Sequence, residues 1–221
     1  MFVLNDYLQN LIEKCRAIFG ARLLYIGLQG SYLRGEANET SDIDIMIVID
    51  DFSITDMDTY RTILKDIGYY EKSCGFICGK DELAHWSPLE VCQILHTTKD
   101  LYGSLTDYLP SATREDEINY VKMSLGNLYH EICHRYIHAD RDTNIRKFRG
   151  TCKGIFFLVQ NLYYLESGCF VLTKRELKEQ VPKEDREILE LAELQDEFDF
   201  ENAQLQLFTW CQSVFARMEK I

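Results

Sequence analysis

Two aspartates, Asp42 and Asp44, alternate with isoleucine at the start of the segment "DIDIMIVID". Side chains two positions apart on a strand point the same way, so both carboxylates are expected on one face and the isoleucines on the other. At about 6 Å and an effective dielectric near 20, two such charges repel by about 3 kcal/mol. A divalent cation removes this repulsion, and Mg²⁺ prefers one or two carboxylates together with substrate phosphates. The spacing therefore predicts half of a magnesium site, completed when a nucleotide binds.

A glycine-serine pair, Gly30 and Ser31, lies twelve residues before Asp42. It follows the apolar segment "RLLYIGLQ" and precedes a short predicted helix, where free backbone N–H groups and the helix dipole favour an anion. Glycine lets a phosphate approach the backbone closely, and serine adds a hydroxyl donor. Arg34, one turn further on, could add positive charge or hold the loop. We expect these three residues to contact a nucleotide.

Helices and strands alternate in the first half of the chain. A helix from Asn5 or Asp6 to Gly20 is predicted by its cap residues and apolar period. Further predicted elements are the strands "RLLYIGLQ", "DIDIMIVID" and "CGFIC" and the helices 55–67 and 88–102.

From about Ser111 the helical period dominates. Predicted helices cover 112–139, 146–167, 173–180, 184–196 and 200–219. We therefore predict an α/β (α+β) chain, with a mixed sheet and helices in residues 1–110 and a helical bundle in residues 111–221.

The segment "GSYLRGEANETSDIDIMIV" resembles the signature of the DNA polymerase beta-type nucleotidyltransferase superfamily. The order of an α/β domain and a helical domain resembles the antibiotic nucleotidyltransferases that act on aminoglycosides such as kanamycin, or on lincosamides. The resemblance implies that Gly30 and Ser31 grip a nucleoside triphosphate and that Asp42 and Asp44 bind two Mg²⁺ ions. It also implies that a hydroxyl of a small acceptor attacks the α-phosphorus and that pyrophosphate leaves.

The sequence departs from this family at a third carboxylate, which the family often places on a later strand. The corresponding segment "KSCGFICGKDEL" has Ser73 and Cys74 at that place. Glu71, Asp81 and Glu82 flank the strand and could substitute. If none does, the chain could be a catalytically silent nucleotide-binding protein. A protein AMP-transferase of the antitoxin type is a further alternative.

The helical half contains "HEICH", which matches the HExxH pattern of zinc metalloproteases. His130 and His134 share a helical face, and Glu166 is a conceivable third ligand. The commoner interpretation is a helix with histidines on a polar surface. The family resemblance implies another role for Glu131, because kanamycin-type enzymes use a glutamate on a second-domain helix as general base.

Arg149 and Lys153 belong to a basic stripe at helical spacing in "RDTNIRKFRGTCKG". Positive side chains are suited to the β and γ phosphates of a nucleotide. An exposed first helical turn with ordinary ion pairs is the alternative. We expect one or both residues to reach the phosphates across a cleft between the two domains.

Composition limits the remaining possibilities. The 221 residues carry a net charge of −12, which argues against a general nucleic-acid binder and favours a cationic small molecule. No apolar run approaches the roughly 18 residues of a membrane helix, and the start of the sequence does not resemble a secretion signal. The 8 cysteines are scattered, as expected of reduced cytoplasmic thiols. A homodimer is compatible with these features.

Overall fold

The computed structural model describes residues 2–193 and 198–221. The chain divides into two compact units, Met1–Ala112 and Thr113–Ile221. The predicted division after residue 110 falls close to the point where the second unit begins. Among the described residues, no helix has both the length and the apolar character needed to cross a membrane.

The first unit combines a mixed sheet with helices. Its strands are β1 (Leu23–Leu28), β2 (Ile43–Ile49), β3 (Ser73–Gly79) and β4 (Lys99–Tyr102). Its α-helices are α1 (Leu4–Phe19), α2 (Gly30–Arg34), α3 (Ile54–Ile67), α4 (Lys80–Ala84) and α5 (Pro88–His96). In the described residues the strands form one sheet of order β3-β2-β1-β4. β1 runs antiparallel to β2 and β4, whereas β3 lies parallel to β2.

Strand β2 is covered on both faces, as its apolar sequence predicts. Its isoleucines pack into a core with α1 and α3. On the opposite face, Met46 and Val48 pack with Tyr25 of β1 and with Leu83 of α4. The central strand is thereby fixed in position, and the start of β2 carries Asp44 at the rim of the second face.

Helix α1 ends as predicted, because Gly20 adopts a positive φ of 56° and donates its N–H to the carbonyl of Arg16. Its predicted N-cap was wrong. The helix begins at Leu4, so Val3 occupies the cap position without a side-chain hydrogen bond. The first apolar side chains needed by the core therefore extend the helix past the polar residues that could have capped it.

The predicted helix 88–102 is also wrong beyond His96. Helix α5 ends there, and the following residues form strand β4, which pairs with β1. Thr97 and Thr98 are β-branched, and Gly103 adopts a φ of 74° directly after the strand. A four-residue strand is too short to show its own periodicity, so pairing with β1 decides its structure.

The second unit is helical in the described residues. Its α-helices are α6 (Arg114–His138), α7 (Arg141–Ser167), α8 (Lys174–Gln180), α9 (Lys183–Glu190) and α10 (Phe200–Met218). They surround one apolar core. Together with the mixed sheet of the first unit, this arrangement confirms the predicted fold class.

Two boundaries in the second unit differ from the prediction by more than two residues. Helix α7 begins at Arg141 instead of residue 146, because the carboxylate of Asp140 accepts a hydrogen bond from the backbone of Thr143 and caps it. The predicted helix 184–196 ends as α9 at Glu190, followed by a 3₁₀ turn over Leu191–Glu193. Its last predicted residues, 194–196, lie outside the described residues.

Candidate active site

Asp42 and Asp44 lie at the start of β2. Asp42 is exposed just before the strand, and Asp44 is half-buried within it. Both carboxylates influence the pKa of the Cys74 thiol on β3. Partial burial, then a hydrogen bond to Asp44 and the charges of Asp44 and Asp42, raise the pKa of this thiol. The two carboxylates therefore share one local environment.

The glycine-serine turn packs directly against Asp44. Gly30 has a φ of 69°, and a Cβ atom at this position would overlap the Asp44 carboxylate. The backbone N–H of Gln29 also donates to the carbonyl of Asp44 at 2.8 Å. Glycine is thus needed both for the backbone conformation and for the close approach. The two parts of the motif meet in space as well as in sequence.

Ser31 and Arg34 lie on the short helix α2. Ser31 is half-buried, and its carbonyl accepts the N–H of Glu36 at 2.9 Å. Arg34 Nε donates to Glu36 Oε2 at 2.8 Å, and their side chains are 13% and 25% exposed. This ion pair holds the loop after the helix. Contact of Arg34 with a nucleotide stays a prediction.

The strand register fixes which side chains stand beside Asp44. Cys74 of β3 is its Cα partner, and Ser73 is the partner of Ile43. Glu71 precedes β3 at the same end of the sheet and is exposed. Asp81 and Glu82 follow Gly79, five residues beyond Cys74, which puts them about 16 Å along the strand. Of the three flanking acids, only Glu71 lies at the aspartate end.

A polar row continues from Asp44 across the sheet. Gln29 follows the antiparallel partner strand β1 and lies beside Asp44, and its Nε2 donates to Thr98 Oγ1 at 2.8 Å. Thr98 precedes β4, the strand that the sequence did not predict. Asp44, Gln29 and Thr98 therefore form a polar row at one end of three adjacent strands.

Tyr25 and Asp100 form a second polar pair on this face. Tyr25 is fully buried, and its hydroxyl donates to Asp100 Oδ1 at 2.6 Å. Gly27 pairs with both Met46 and Asp100, and a Cβ at Gly27 would overlap the Tyr25 hydroxyl. Burial, then the bond to Asp100, raises the pKa of Tyr25 well above its usual range, so the hydroxyl remains a donor.

Sequence reasoning missed this pair because its two members are 75 residues apart. A glycine inside a buried strand was the available signal, since it often marks a close approach of other groups. Asp100 is exposed. By strand spacing, its Cα is about 12 Å from that of Asp44.

Three predicted site residues belong to the second unit. The side chain of Glu131 on α6 accepts hydrogen bonds through Oε1 from Arg135 Nη1 and from Thr151 Oγ1, the latter at 2.9 Å. On α7, Arg149 is half-buried and Lys153 is exposed one turn later. The roles predicted for Glu131, Arg149 and Lys153 stay predictions.

Glu131 also borders a cavity of about 260 Å³ between α6 and α7. Its walls carry hydroxyl, amide and carboxylate groups beside apolar ones. The polar lining residues are Tyr120, Ser124, Asn127, Glu131 and Thr151.

Both glutamates that the metalloprotease interpretation requires are engaged by other side chains. Glu131 binds Arg135 and Thr151, and Glu166 pairs with Arg217 at 2.7 and 2.9 Å. Within residues 2–193 and 198–221, no three His, Cys, Asp or Glu side chains are grouped closely enough to hold a metal by themselves. A zinc site of the HExxH type is therefore not formed.

The residues at the start of β2 do fit magnesium bound together with a substrate. Asp42 and Asp44 supply hard oxygen ligands, and at least one of them is open to solvent. With two protein carboxylates, a hexacoordinate Mg²⁺ would take its remaining ligands from phosphates and water. This donor set therefore leaves coordination positions that phosphate oxygens or water could fill.

A family model described as a nucleotidyltransferase domain matches residues 8–77. The matched segment runs from α1 to β3 and includes both parts of the motif. The resemblance to the polymerase beta-type superfamily is thereby confirmed for residues 8–77.

A curated relative from Methanocaldococcus jannaschii is 37% identical over 65 residues. It is provisionally named a protein adenylyltransferase. The aligned segment is 29% of this chain and 44% of the relative, so the chain spans less than half of the length of the curated relative.

Among solved structures, spectinomycin adenyltransferase AAD(9) from Enterococcus faecialis, with ATP and spectinomycin, aligns with a TM-score of 0.60 at 16% identity. The alignment covers 96% of this chain and 99% of that one, so the two share a fold. A toxin-antitoxin structure with AMP-PNP aligns over 59% of this chain with a TM-score of only 0.34 and 23% identity.

Proposed function

We propose that this chain, whose residues 8–77 form a nucleotidyltransferase domain, transfers a nucleoside monophosphate from a nucleoside triphosphate to a hydroxyl of a small cationic acceptor. Aminoglycoside and lincosamide antibiotics are the acceptor classes we favour. The observation that carries the proposal is the packing of the Asp44 carboxylate against Gly30 in the glycine-serine turn. This contact brings a carboxylate for a metal beside a turn suited to phosphates.

The first unit would hold the nucleotide. Gly30 leaves its backbone open to a phosphate, and the Ser31 hydroxyl can donate to a phosphate oxygen. Asp42 and Asp44 would hold the Mg²⁺ ions, for which we propose two. When bound, such ions neutralise charge on the phosphates and on the leaving pyrophosphate.

At the α-phosphorus, the reaction forms one phosphorus–oxygen bond and breaks another. The acceptor hydroxyl oxygen bonds to the α-phosphorus, the bond from that phosphorus to the bridging oxygen of the β-phosphate breaks, and pyrophosphate leaves. The hydroxyl proton passes to a general base, for which we propose Glu131. Its contacts with Arg135 and Thr151 would fix the orientation of the carboxylate. Arg149 and Lys153 would neutralise the β and γ phosphates.

The acceptor side of the proposal is supported by Asp100. This exposed carboxylate is held by the buried Tyr25 hydroxyl on the same sheet face as Asp44. A separation of about 12 Å between their Cα atoms leaves room for an acceptor that reacts at one end and is anchored at the other. A carboxylate anchor favours a cation. The fold shared with a spectinomycin adenyltransferase is consistent with this class of acceptor.

Pyrophosphate release tests the proposal. The wild-type chain is given ATP or GTP, Mg²⁺ and a panel of spectinomycin, kanamycin, streptomycin and lincomycin. We expect release with at least one acceptor and a loss of at least about 100-fold in Asp44→Asn, equivalent to roughly 2.7 kcal/mol of transition-state stabilisation. Asp66→Asn is the matched control, because Asp66 is an exposed acid of the same unit. Equal activity of both variants would contradict the proposed site.

Transfer of AMP to a protein is the second candidate. It is favoured by the similarity to the relative named as a protein adenylyltransferase. Incubation with α-labelled ATP and a cell lysate would then label a protein band in wild type and not in Asp44→Asn. Nucleotide binding without turnover on any acceptor would favour the silent binder, which the Cys74 position next to Asp44 also allows.

A further inference from the structure

Three histidines lie one turn apart on α6. His130, His134 and His138 are all exposed. The ring centres of His130 and His134 are 5.7 Å apart with planes inclined by 29°, and those of His134 and His138 are 4.7 Å apart at 44°. We refer to these three residues as the histidine ladder.

The imidazoles of the ladder have no polar partner in the described part of the protein. Within the described part of the chain, no hydrogen bond or ion pair engages any of the three imidazoles. Glu131, which separates two of them in sequence, is bound to Arg135 and Thr151 instead. The three exposed imidazoles are therefore accessible to a ligand from solvent.

The ring spacing matches that of two imidazoles on one metal ion. An imidazole nitrogen binds Zn²⁺ at about 2.0–2.1 Å, which puts the ring centre about 3.2 Å from the ion. Two such ligands separated by 90–109° at the metal have ring centres about 4.5–5.2 Å apart. The 4.7 Å of His134 and His138 falls in this range. The 5.7 Å of His130 and His134 needs a shift of about half an ångström.

We propose that the histidine ladder binds a divalent transition-metal ion, with His134 as the central ligand and His138 as its main partner. Imidazole favours Zn²⁺, Ni²⁺ and Cu²⁺. Two side chains leave the other coordination positions to water, which agrees with the lack of a grouped third ligand in the described residues. This site differs in chemistry from Asp42 and Asp44, whose oxygen ligands suit Mg²⁺.

Metal binding here has a physical consequence for the protein. An ion that binds two side chains one turn apart requires a helical backbone between them. It therefore binds the folded state and stabilises that state by mass action. A transition metal would raise the unfolding temperature through α6, independently of any nucleotide.

Calorimetric titration of the tag-free, reduced protein with Ni²⁺, Zn²⁺ and Cu²⁺ tests the proposal. We expect one ion per chain, at least about a tenfold loss of affinity in His134→Ala and in His138→Ala, and a smaller loss in His130→Ala. His85→Ala is the control, since it removes a histidine outside the ladder. Alanine suits exposed helical positions, so circular dichroism should show all variants folded.

Thermal unfolding with and without Ni²⁺ gives a second readout. The metal should raise the unfolding temperature of wild type and His85→Ala and leave that of His134→Ala unchanged. Unchanged affinity in His134→Ala, or a loss of binding only after the cysteines are alkylated, would overturn the proposal. Absence of binding by wild type for all three ions would do the same.

Discussion

At the scale of single residues, Asp44 joins the two parts of the sequence motif in space. Its carboxylate lies between Gly30 of the preceding turn and Cys74 of the neighbouring strand. Neither contact supplies a cation, because a thiol and a backbone carry no positive charge. In the proposed site, this carboxylate would bind a metal ion that arrives with a nucleotide.

The Tyr25–Asp100 pair leads to a prediction on acceptor binding. If Asp100 anchors a cationic acceptor, Asp100→Asn should raise the KM for that acceptor by about 10–100-fold, because a hydrogen bond to a charged group contributes about 1.5–3 kcal/mol. Tyr25→Phe keeps the ring and loses the bond, so an increase of about 2–10-fold is expected. In both variants the KM for ATP and kcat should change by less than about twofold.

Steady-state kinetics with an acceptor found active on wild type measures these values. Asp107→Asn is a suitable control, since Asp107 is an exposed acid in the segment after β4. An unchanged acceptor KM in Asp100→Asn would contradict the anchor role. A fall in kcat with unchanged KM would instead assign Asp100 to the chemical step.

The part of the motif whose contacts the structure shows consists of residues that are near in the chain. Gly30, Ser31, Asp42 and Asp44 lie within fifteen residues of each other, and the alternation of one strand defines the face they share. The bond from Tyr25 to Asp100 joins residues on two strands whose pairing no local pattern reveals. The shared face of neighbouring motif residues was thus predictable, and the contacts between distant strands were not.

At the scale of elements, a strand with a clear local pattern was predicted correctly, and a strand that depends on pairing with a distant segment was not. Strand β2 was predicted because its seven residues are almost wholly apolar and β-branched. Strand β4 has four residues, Lys99–Tyr102, and was predicted as the end of a helix. The hydrogen bonds that make it a strand come from β1, about 70 residues earlier. Tertiary pairing therefore overrides the local signal in such a short segment.

Helix α3 gives a prediction on pH dependence. Asp56 lies in its first turn, and its carboxylate accepts bonds from the backbone and hydroxyl of Ser53, both at 2.8 Å. Arg22, just before β1, donates to the same carboxylate at 2.7 and 3.0 Å. The bond to Arg22, then the bonds to Ser53, hold the pKa of Asp56 below its usual value. This residue joins the start of α3 to the start of β1.

Since the folded-state pKa of Asp56 is lowered, its contribution to stability is complete above the unfolded pKa of about 3.9 and is lost as the pH falls through the lower folded value. Asp56→Asn should reduce the free energy of unfolding by about 2–3 kcal/mol at pH 7. The difference from wild type should shrink as the pH is lowered below about 4.

Urea denaturation at a series of pH values checks this prediction. Asp58→Asn serves as the control on the same helix, because the Asp58–Arg61 pair is exposed and should contribute less than about 0.5 kcal/mol. A loss in Asp56→Asn that stays constant from pH 7 to pH 3 would show that the charge of Asp56 is not the cause.

At the scale of the whole molecule, each of the two units has its own apolar core. The sheet of the first unit packs on two sets of buried residues, and the helices of the second unit surround another. None of these sets contains residues of both units. Because stability follows largely from such cores, a change in one core is expected to act mainly on its own unit.

A buried ion pair in the second unit allows a direct test. Asp185 is 1% exposed and accepts bonds from Arg217 at 2.7 and 2.9 Å and from Trp210 Nε1 at 2.7 Å. Arg217→Met leaves this carboxylate buried without its cation, so a loss of about 3–5 kcal/mol is expected. Adding Asp185→Asn removes the buried charge and should recover part of that loss.

Tryptophan fluorescence can follow the two units separately, since the chain has 2 tryptophans, Trp86 in the first unit and Trp210 in the second. In a Trp86→Phe background, Arg217→Met should lower the urea midpoint reported by Trp210. The midpoint reported by Trp86, read in a Trp210→Phe background, should change little on the same substitution. Asp56→Asn should lower the midpoint reported by Trp86 and change the one reported by Trp210 little, because Asp56 belongs to the first unit. If each substitution lowered both midpoints equally, the chain would unfold as one cooperative body and the cores would not act independently.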